Sequence, residues 1–273
     1  MPIFDSLLGI MRDLDFLHKK DVYNTKKNSR KFIDKLFLNT RLYFAIKYMQ
    51  LVLINRRLAI KGRYDRVAWS LSSFKVIKLI EDCGGCFHIE GLNHIRNCNE
   101  PVVFVSNHMS AMESMILPAL IAPFMEVTFV VKESLTTHPF FGPVMRSCEP
   151  IAVARTNSRE DLIYVINKGK EFLDKGTSIV IFPQGKRQLV FNPKEFNSLG
   201  IKLAKKVGVK VIPIALKTDF WGNGTIIKDF GPIRRDRKIF ISIGEALKIE
   251  NNGKKQNNQI IDFIQENLNT WNR

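Results

Sequence analysis

Along residues 85–273, short apolar runs alternate with stretches in which apolar positions recur at helical spacing. Short apolar runs bounded by turn residues are typical of buried strands, whereas spacings of three and four residues are typical of amphipathic helices. The predicted strands are Phe87–Ile89, Val102–Ser106, Val127–Val131, Ile151–Val153, Ser178–Phe182, Lys210–Leu216, Ile226–Phe230 and Ile239–Ile243. The predicted helices are Glu113–Ile121, Pro139–Arg146, Arg159–Asp174, Glu195–Val207 and Asn257–Trp271. This alternation predicts an α/β fold with a mixed, largely parallel central sheet flanked by helices.

The part of the chain before these strands follows a helical pattern. Apolar residues recur at helical spacing over Ser29–Ile54 and again over Tyr64–Glu81. The Gly84-Gly85 pair that follows is a typical helix end. We therefore predict an N-terminal helical segment over residues 1–84 and an α/β domain over residues 85–273.

The longest nearly apolar stretch, Leu42–Ile54, is too short to cross a bilayer. As a helix it reaches about 20 Å, whereas the hydrocarbon core is about 30 Å thick. The first residues lack the unbroken apolar region of a secretory signal. Their apolar run is interrupted by Asp5, Arg12, Asp13 and Asp15. We expect a cytoplasmic protein that does not span a membrane.

Positive charge is concentrated in the N-terminal helical segment. The 273 residues include 42 Lys and Arg against 26 Asp and Glu, a net charge of +16. Residues 1–80 hold 17 of these basic residues and only 6 of the acidic ones. An excess of this size favours an anionic partner, such as nucleic acid, a phospholipid surface or a phosphorylated small molecule. The basic helices have two interpretations: a cap packed on the domain, or a membrane-surface anchor with Trp69, Tyr43 and Phe44 at the lipid interface.

Several function classes are disfavoured by what the sequence lacks. It contains no nucleic-acid-binding motif, no Gly-x-Ser-x-Gly elbow and no Walker-type phosphate loop. Four cysteines are too few for a disulfide scaffold in a chain of this length. Cys83 and Cys86 have the spacing of a zinc knuckle, but no second matching pair follows. We expect no metal, no other cofactor and no nucleic-acid partner.

One candidate catalytic pair follows directly after a predicted strand. The strand Val102–Ser106 leads into Asn107 and His108, and Glu113 lies five residues further on, in the first turn of a predicted helix. A carboxylate in that position can fold back and accept a hydrogen bond from one ring nitrogen, which leaves the other nitrogen as a general base. Taken alone, the same pattern also fits a capping or core histidine with a solvated glutamate.

Cationic residues follow two further predicted strands. Ile151–Val153 leads to Arg155, and Ser178–Phe182 leads to Gly185, Lys186 and Arg187. Gly185 allows close approach of a ligand to the backbone, and the three cations suit a phosphate. The alternatives are a surface ion pair and a basic turn. A fourth feature is Pro213 within the apolar run Lys210–Leu216. Because proline cannot donate to a β-ladder, it indicates a bulge or an edge.

Taken together and in this order, these four features resemble the acyltransferase family that acylates glycerol phosphate and lysophospholipids, the family of 1-acyl-sn-glycerol-3-phosphate acyltransferases. Its first motif, Asn-His, four residues and an acid, is matched by Asn107, His108 and Glu113. Its second, a strand ending in Arg, is matched at Arg155. Its third, Phe-Pro-Glu-Gly-Thr-Arg, resembles Phe182–Arg187, and its fourth is an apolar strand with a central proline.

This sequence departs from the family pattern at two motifs. The acid of the first motif is usually Asp, and Glu113 has one extra methylene, which moves the carboxylate by about 1.5 Å unless the helix start shifts. In the third motif, Gln184 stands in place of Glu and Lys186 in place of Thr. The local charge is therefore two units more positive, which favours a more anionic acceptor or weakens a contact that needs the carboxylate.

The resemblance implies transfer of a fatty acyl group from acyl-CoA or acyl carrier protein to a hydroxyl of a lysophospholipid, with 1-acylglycerol-3-phosphate as the first candidate. His108 would be the general base and Glu113 would orient its imidazole. The residues implied in substrate binding are Asn107, Arg155, Gln184, Gly185, Lys186 and Arg187. The protein would attach peripherally to the cytoplasmic face of a membrane. The alternatives are a catalytically silent lipid-binding relative and an enzyme for a different lysolipid or a lipid A-like acceptor.

Overall fold

A computed structural model describes residues 19–37, 40–224 and 231–273, and an eight-stranded sheet lies at its centre. The strands are β1 (Tyr23–Asn24), β2 (Phe87–Glu90), β3 (Val103–Ser106), β4 (Val127–Lys132), β5 (Ile151–Val153), β6 (Ser178–Ile181), β7 (Val211–Lys217) and β8 (Ile239–Ile243). Their order across the sheet is β1-β2-β8-β7-β3-β6-β4-β5.

Five neighbouring strands, β7, β3, β6, β4 and β5, run parallel to one another. Their carboxyl ends therefore meet at one end of the sheet, here called the carboxyl end. Strand β8 is antiparallel to β7, β2 is parallel to β8, and β1 is antiparallel to β2. The predicted fold class, a mixed and largely parallel sheet, is confirmed. Ligand sites in such folds lie beyond the carboxyl ends of the parallel strands.

Helices cover both faces of the sheet. They are α1 (Phe32–Leu36), α2 (Leu42–Ile60), α3 (Arg66–Asp82), α4 (Leu92–Arg96), α5 (Met112–Ile121), α6 (Gly142–Ser147), α7 (Ser158–Asp174), α8 (Leu199–Val207) and α9 (Lys254–Trp271). One hydrophobic core contains Ile77 of α3 and Ile116 of α5. The other contains Val165 of α7, Ile201 of α8 and Ile260 of α9. Among the described residues, no helix combines the length and hydropathy that crossing a bilayer requires.

The sequence pattern located most strands closely. The seven predicted strands that fall on described residues begin and end within one residue of β2 to β8, and the predicted strand Ile226–Phe230 lies outside the described residues. Strand β1 and helix α4 were not predicted, because two and five residues are too few to show a periodicity.

Two predicted helices are interrupted by polar side chains that bond to the local backbone. Within Ser29–Ile54, the Thr40 hydroxyl donates to the Phe37 carbonyl at 2.8 Å and accepts from the Leu42 N–H at 3.3 Å. Within Glu195–Val207, the Asn197 side chain accepts from the Leu199 N–H at 2.9 Å. Such bonds compete with helix formation, and α2 and α8 begin just after them.

The three aromatic residues expected at a lipid interface are buried in the protein instead. Tyr43, Phe44 and Trp69 all belong to the core on the α3 and α5 side of the sheet. Phe44 packs edge-on against Trp221 with ring centroids 4.7 Å apart, and Trp69 contacts Phe129 at 5.7 Å. Of the two interpretations of the basic helices, the burial of these rings supports the cap packed on the domain and contradicts their placement at a lipid interface, because α2 and α3 turn their aromatic side toward the sheet. The division of the chain at residue 84 stays a prediction.

Pro213 lies in the central strand β7, opposite a change of register just after β8. In the register that pairs Ile214 with Ile243, the partner of Val211 would lie one residue before Leu247. Val211 instead forms a bridge with Leu247, so the neighbouring segment contains one extra residue. The strand is therefore not an edge, and the missing N–H of Pro213 faces a bulge in its neighbour. Of the two outcomes that the sequence allowed, a bulge or an edge strand, the structure shows the bulge.

Candidate active site

His108 and Glu113 form a direct pair at the carboxyl end of β3. The His108 Nδ1 and Glu113 Oε2 atoms are 2.5 Å apart. The histidine side chain is 15% exposed, whereas the glutamate on the first turn of α5 is fully buried. Since Nδ1 is engaged by the carboxylate, the nitrogen left for chemistry is Nε2. A buried carboxylate on an imidazole of this kind holds one tautomer and stabilises the imidazolium.

The other oxygen of Glu113 is held by three donors. Its Oε1 atom accepts hydrogen bonds from the Met109 N–H at 3.1 Å, from the Ser110 N–H at 2.8 Å and from the Thr218 hydroxyl. Hydrogen bonds to a charged acceptor are stronger than those between neutral groups. The extra methylene of Glu113, relative to Asp, is thus accommodated by folding the carboxylate back under its own loop.

The backbone and ring of His108 are fixed by the loop that follows β6. The Gln184 side-chain oxygen accepts from the His108 N–H at 2.8 Å, and the Gln188 N–H donates to the His108 carbonyl at 2.8 Å. The Phe182 ring stacks on the imidazole, with centroids 4.3 Å apart and 19° between the planes. The amide at position 184 therefore does what a carboxylate oxygen would do there, since it accepts one backbone hydrogen bond.

Asn107 joins β3 to β7. Its side-chain amide donates to the Leu216 carbonyl at 2.8 Å and accepts from the Leu216 N–H at 2.8 Å. The side chain is buried, and both of its polar atoms are used in this pairing. A direct contact between Asn107 and a substrate would require these bonds to break, so the geometry favours a positioning role.

Arg187 reaches the same loop as His108. Its Nη1 atom donates to the Asn223 side-chain oxygen at 3.3 Å, and the Asn223 amide donates to the Met109 carbonyl at 3.0 Å. Lys186 points further outward, is 67% exposed and pairs with Glu195 at 3.1 Å. Gly185 has a positive φ of 68°, and its N–H donates to the Phe182 carbonyl at 3.0 Å. An oxyanion donor in this loop therefore has to be a group other than the Gly185 N–H.

Arg155 lies apart from these residues. It follows β5, and β5 is separated from β3 by β6 and β4. Three inter-strand spacings amount to roughly 14 Å, which is more than an arginine side chain spans. The residue is exposed and has a positive φ of 62°, and its N–H donates to Asp161 at 2.9 Å. The structure therefore brings Gln184 and Arg187 to the His108–Glu113 pair and leaves Arg155 at the edge of the sheet.

Sequence reasoning missed Thr218 and the ring contact of Phe182. Thr218 follows β7 directly, and Phe182 follows β6 directly. The rule that functional groups gather just after the parallel strands would have selected both of them. The sequence could not show that Thr218 contacts Glu113 or that Phe182 stacks on His108, because both contacts depend on the strand order.

The cysteines give no support to the zinc interpretation. Burial raises the pKa of the Cys83 thiol to about 12, which disfavours the thiolate that zinc requires, and Cys86 is exposed. Burial likewise raises the pKa of the Cys148 thiol to about 12. Within residues 19–37, 40–224 and 231–273, no three His, Cys, Asp or Glu side chains are grouped as metal ligands.

Sequence comparison links the site to known enzymes. A protein-family model described as "Acyltransferase" matches residues 86–217. A 1-acyl-sn-glycerol-3-phosphate acyltransferase of Pseudomonas aeruginosa is 29% identical over 199 residues, which are 72% of this chain and 73% of that protein. A chloroplastic 1-acyl-sn-glycerol-3-phosphate acyltransferase of Arabidopsis thaliana is 30% identical over 129 residues, 47% of this chain and 35% of that protein.

Structural comparison gives the same fold. The crystal structure of the 1-acyl-sn-glycerophosphate (LPA) acyltransferase PlsC from Thermotoga maritima superposes with a TM-score of 0.60. The superposition covers 87% of this chain and 96% of that chain, at 20% sequence identity. At this identity the likeness bears on the fold, whereas the site residues rest on the geometry described above.

Proposed function

We propose that this chain, which matches the acyltransferase family model over residues 86–217 and a 1-acyl-sn-glycerol-3-phosphate acyltransferase over 72% of its length, is an O-acyltransferase. It transfers a fatty acyl group from a thioester to a hydroxyl of a phosphorylated lysolipid, with 1-acylglycerol-3-phosphate as the acceptor. The observation that carries the proposal is the His108–Glu113 pair at the carboxyl end of β3. The acyl donor is acyl-CoA or acyl carrier protein, which serves as a co-substrate, and the reaction draws on no other cofactor.

The geometry supports a general-base mechanism. His108 Nε2 takes the proton of the acceptor hydroxyl while that oxygen attacks the thioester carbonyl carbon. Glu113 keeps the Nδ1–H in place and stabilises the imidazolium that forms. When the tetrahedral intermediate collapses, the carbon–sulfur bond breaks and the imidazolium returns its proton to the leaving thiolate. An ester and a free thiol result, and no acyl-enzyme is formed.

Arg187 is the cation best placed for the acceptor phosphate. Through Asn223 it is tied to the carbonyl of Met109, the residue after His108. A phosphate bound there holds the acceptor hydroxyl beside the imidazole, which contributes by positioning as well as by charge. Lys186 adds a second, more exposed cation on the same loop. Arg155 and the groups around Gly185 are assigned weaker roles, because the first is distant and the Gly185 N–H is used within its turn.

Replacing Arg187 tests the acceptor site. Loss of a charge-assisted hydrogen bond to phosphate is expected to raise KM for 1-acylglycerol-3-phosphate by about 10- to 100-fold in Arg187→Ala. KM for acyl-CoA should stay within about threefold, and Arg155→Ala should change neither constant by more than that. The measurement is the initial rate of phosphatidate formation in mixed micelles. A monoacylglycerol without phosphate is the control acceptor, and an equal loss with this acceptor would contradict the phosphate role of Arg187.

A lipid-facing surface is supported by the reversed polarity of α1. Phe32, Ile33 and Leu36 are exposed, whereas Asp34 between them is fully buried. The Asp34 carboxylate is held by Arg30 at 2.5 Å and by Arg235 at 2.8 Å, which fixes the helix with its apolar side outward. Exposed apolar groups in contiguous patches mark interaction sites. We take this surface to dock on a bilayer.

Helix α2, which follows α1 in the chain, also has exposed apolar side chains. A stripe of exposed apolar side chains runs along it at helical spacing, and it consists of Leu42, Ile46, Leu53 and Ile60. Exposed basic residues lie beside this stripe, including Lys47 and Arg57. Apolar insertion combined with attraction to anionic headgroups is the usual mode of binding for a monotopic protein. Peripheral attachment also brings the enzyme to its lipid acceptor.

Replacing exposed apolar residues of α1 tests the membrane surface. Phe32 is 74% exposed and Leu36 is 66% exposed, so Phe32→Ser with Leu36→Ser should leave the core intact. Losing two inserted apolar side chains is expected to lower the partition onto vesicles of phosphatidylcholine and phosphatidylglycerol by at least about tenfold in sedimentation. Ile163→Ser with Tyr164→Ser, on α7 of the opposite face, is the matched control. Equal sedimentation of both double variants would overturn the assignment.

A further inference from the structure

Thr218 is a buried residue at the carboxyl end of β7 that faces the catalytic loop. It is fully buried, and its hydroxyl donates to Glu113 Oε1. The Ser110 hydroxyl donates to Thr218 Oγ1 at 3.1 Å, and the Met112 N–H donates to Ser110 Oγ at 3.1 Å. Two strands and the start of α5 therefore meet in a single chain of hydrogen bonds that ends on the carboxylate.

The direction of this chain follows from counting protons. Each hydroxyl has one proton to donate. The proton of Ser110 goes to Thr218, so the proton of Thr218 is free for Glu113. Together with the Met109 and Ser110 N–H groups, the Thr218 hydroxyl gives Glu113 Oε1 three donors. The other carboxylate oxygen, Oε2, remains for His108. One oxygen of the Glu113 carboxylate is therefore held by the three donors, and the other contacts the imidazole of His108.

The geometry points to Thr218 as a positioning residue for acyl transfer, which fixes the Glu113 carboxylate so that its Oε2 atom faces His108. This inference rests on the proposed function, because it assigns the residue a part in the reaction of the same site. Thr218 acts through Glu113, with which its hydroxyl shares the hydrogen bond.

The length of the glutamate side chain explains why such a residue is needed. Compared with Asp, Glu has one more rotatable bond, and its carboxylate has more conformational freedom to lose. The donors from Met109 and Ser110 belong to the same loop as the acid and move with it. Thr218 is the donor that comes from another strand. The pairing of Asn107 with Leu216, two residues before Thr218, holds the ends of β3 and β7 together.

A purely structural role for Thr218 has a different consequence. A buried hydroxyl that only satisfies its neighbours stabilises the fold, and its loss lowers the free energy of unfolding without a selective change in kcat. Thr128 is the matched control residue for Thr218. It is equally buried, and the single proton of its hydroxyl is shared between the carbonyls of Cys148 and Glu149, at 3.0 and 2.9 Å, near the amino end of β4.

The test compares Thr218→Val with Thr218→Ser and with Thr128→Val. Valine keeps the shape but removes one hydrogen bond to a charged group, so kcat should fall about 10- to 100-fold, with KM for both substrates within about threefold. Thr218→Ser keeps the hydroxyl and should retain kcat within about threefold. Thr128→Val should lower Tm but leave kcat unchanged. A Thr218→Val enzyme that behaves like Thr128→Val overturns the inference.

Two further measurements keep the test decisive. In proton NMR, the hydrogen-bonded proton between His108 and Glu113 should give a far-downfield resonance in wild type, Thr218→Ser and Thr128→Val, and should move upfield or disappear in Thr218→Val. This readout needs no substrate, so it stands if the proposed acceptor is wrong, and an unchanged resonance counts against the inference. If Thr218→Val does not fold, Thr218→Ala replaces it, because it removes the same hydroxyl with a smaller side chain. A kcat equal to wild type would then overturn the inference.

Discussion

His108→Ala is expected to lower kcat for acyl transfer by about 10²- to 10⁴-fold, which is the usual contribution of a general base. KM for both substrates should change little, because in the proposed mechanism the imidazole acts only on the reacting hydroxyl and Arg187 is the group that binds the phosphate. The variant leaves the buried Glu113 carboxylate without its histidine partner, so Tm is recorded to show that the protein is folded. The measurement is the initial rate of phosphatidate formation from labelled acyl-CoA and 1-acylglycerol-3-phosphate in mixed micelles.

His94→Ala is the matched control for this result. His94 lies on α4, directly after β2, and β2 runs opposite to β3, so the residue is at the other end of the sheet. It should retain the wild-type rate. Equal rates in wild type and His108→Ala would contradict the assignment of the base. If wild type itself shows no turnover with acyl-CoA, the same comparison is made with acyl carrier protein as the donor.

Glu113→Gln is expected to lower kcat by roughly 10³-fold through the tautomer of His108. The three donors that bind Oε1 of Glu113 need an acceptor, so the introduced glutamine places its amide oxygen there. Its amide NH₂ then turns toward His108 Nδ1. Nδ1 must then accept, and the ring proton moves to Nε2, where the base is needed. The measurement is kcat for the purified variant, with Tm recorded to show that it is folded.

Glu113→Asp separates charge from geometry. It restores the acid that is usual in the family and keeps the negative charge, but its carboxylate is about 1.5 Å short of donors placed for glutamate. It should lose activity, though less than Glu113→Gln. An aspartate variant as active as wild type would show that the three-donor site does not govern the reaction. A glutamine variant within about threefold of wild type would contradict the tautomer argument.

What the sequence predicted well is local along the chain. Strands β5 and β8 were located to the residue, because each is a short apolar run between turn residues. The His108–Glu113 pair was predicted because both partners belong to one strand–loop–helix segment. In such a segment the backbone fixes which side chains meet, and no distant part of the chain is involved.

What the sequence did not predict depends on contacts between distant segments. Helix α2 has apolar residues on two sides, and only packing shows that Tyr43 and Phe44 face the core while Leu42 and Ile46 face outward. Arg155 was grouped with Arg187 because both follow strands, but the chain places β6 between β3 and β4 and leaves β5 at the edge. Strand order is set by the topology of the crossovers, which periodicity does not encode.

The measurement that tests the central claim most directly is a double-mutant cycle on kcat for His108→Ala, Glu113→Gln and the two combined. If Glu113 acts only through the imidazole, the double variant should be as slow as His108→Ala alone, within about threefold, because residues that work as one unit are not additive. A double variant whose loss is the product of the two single losses would contradict the account, since the two side chains would then contribute independently to acyl transfer.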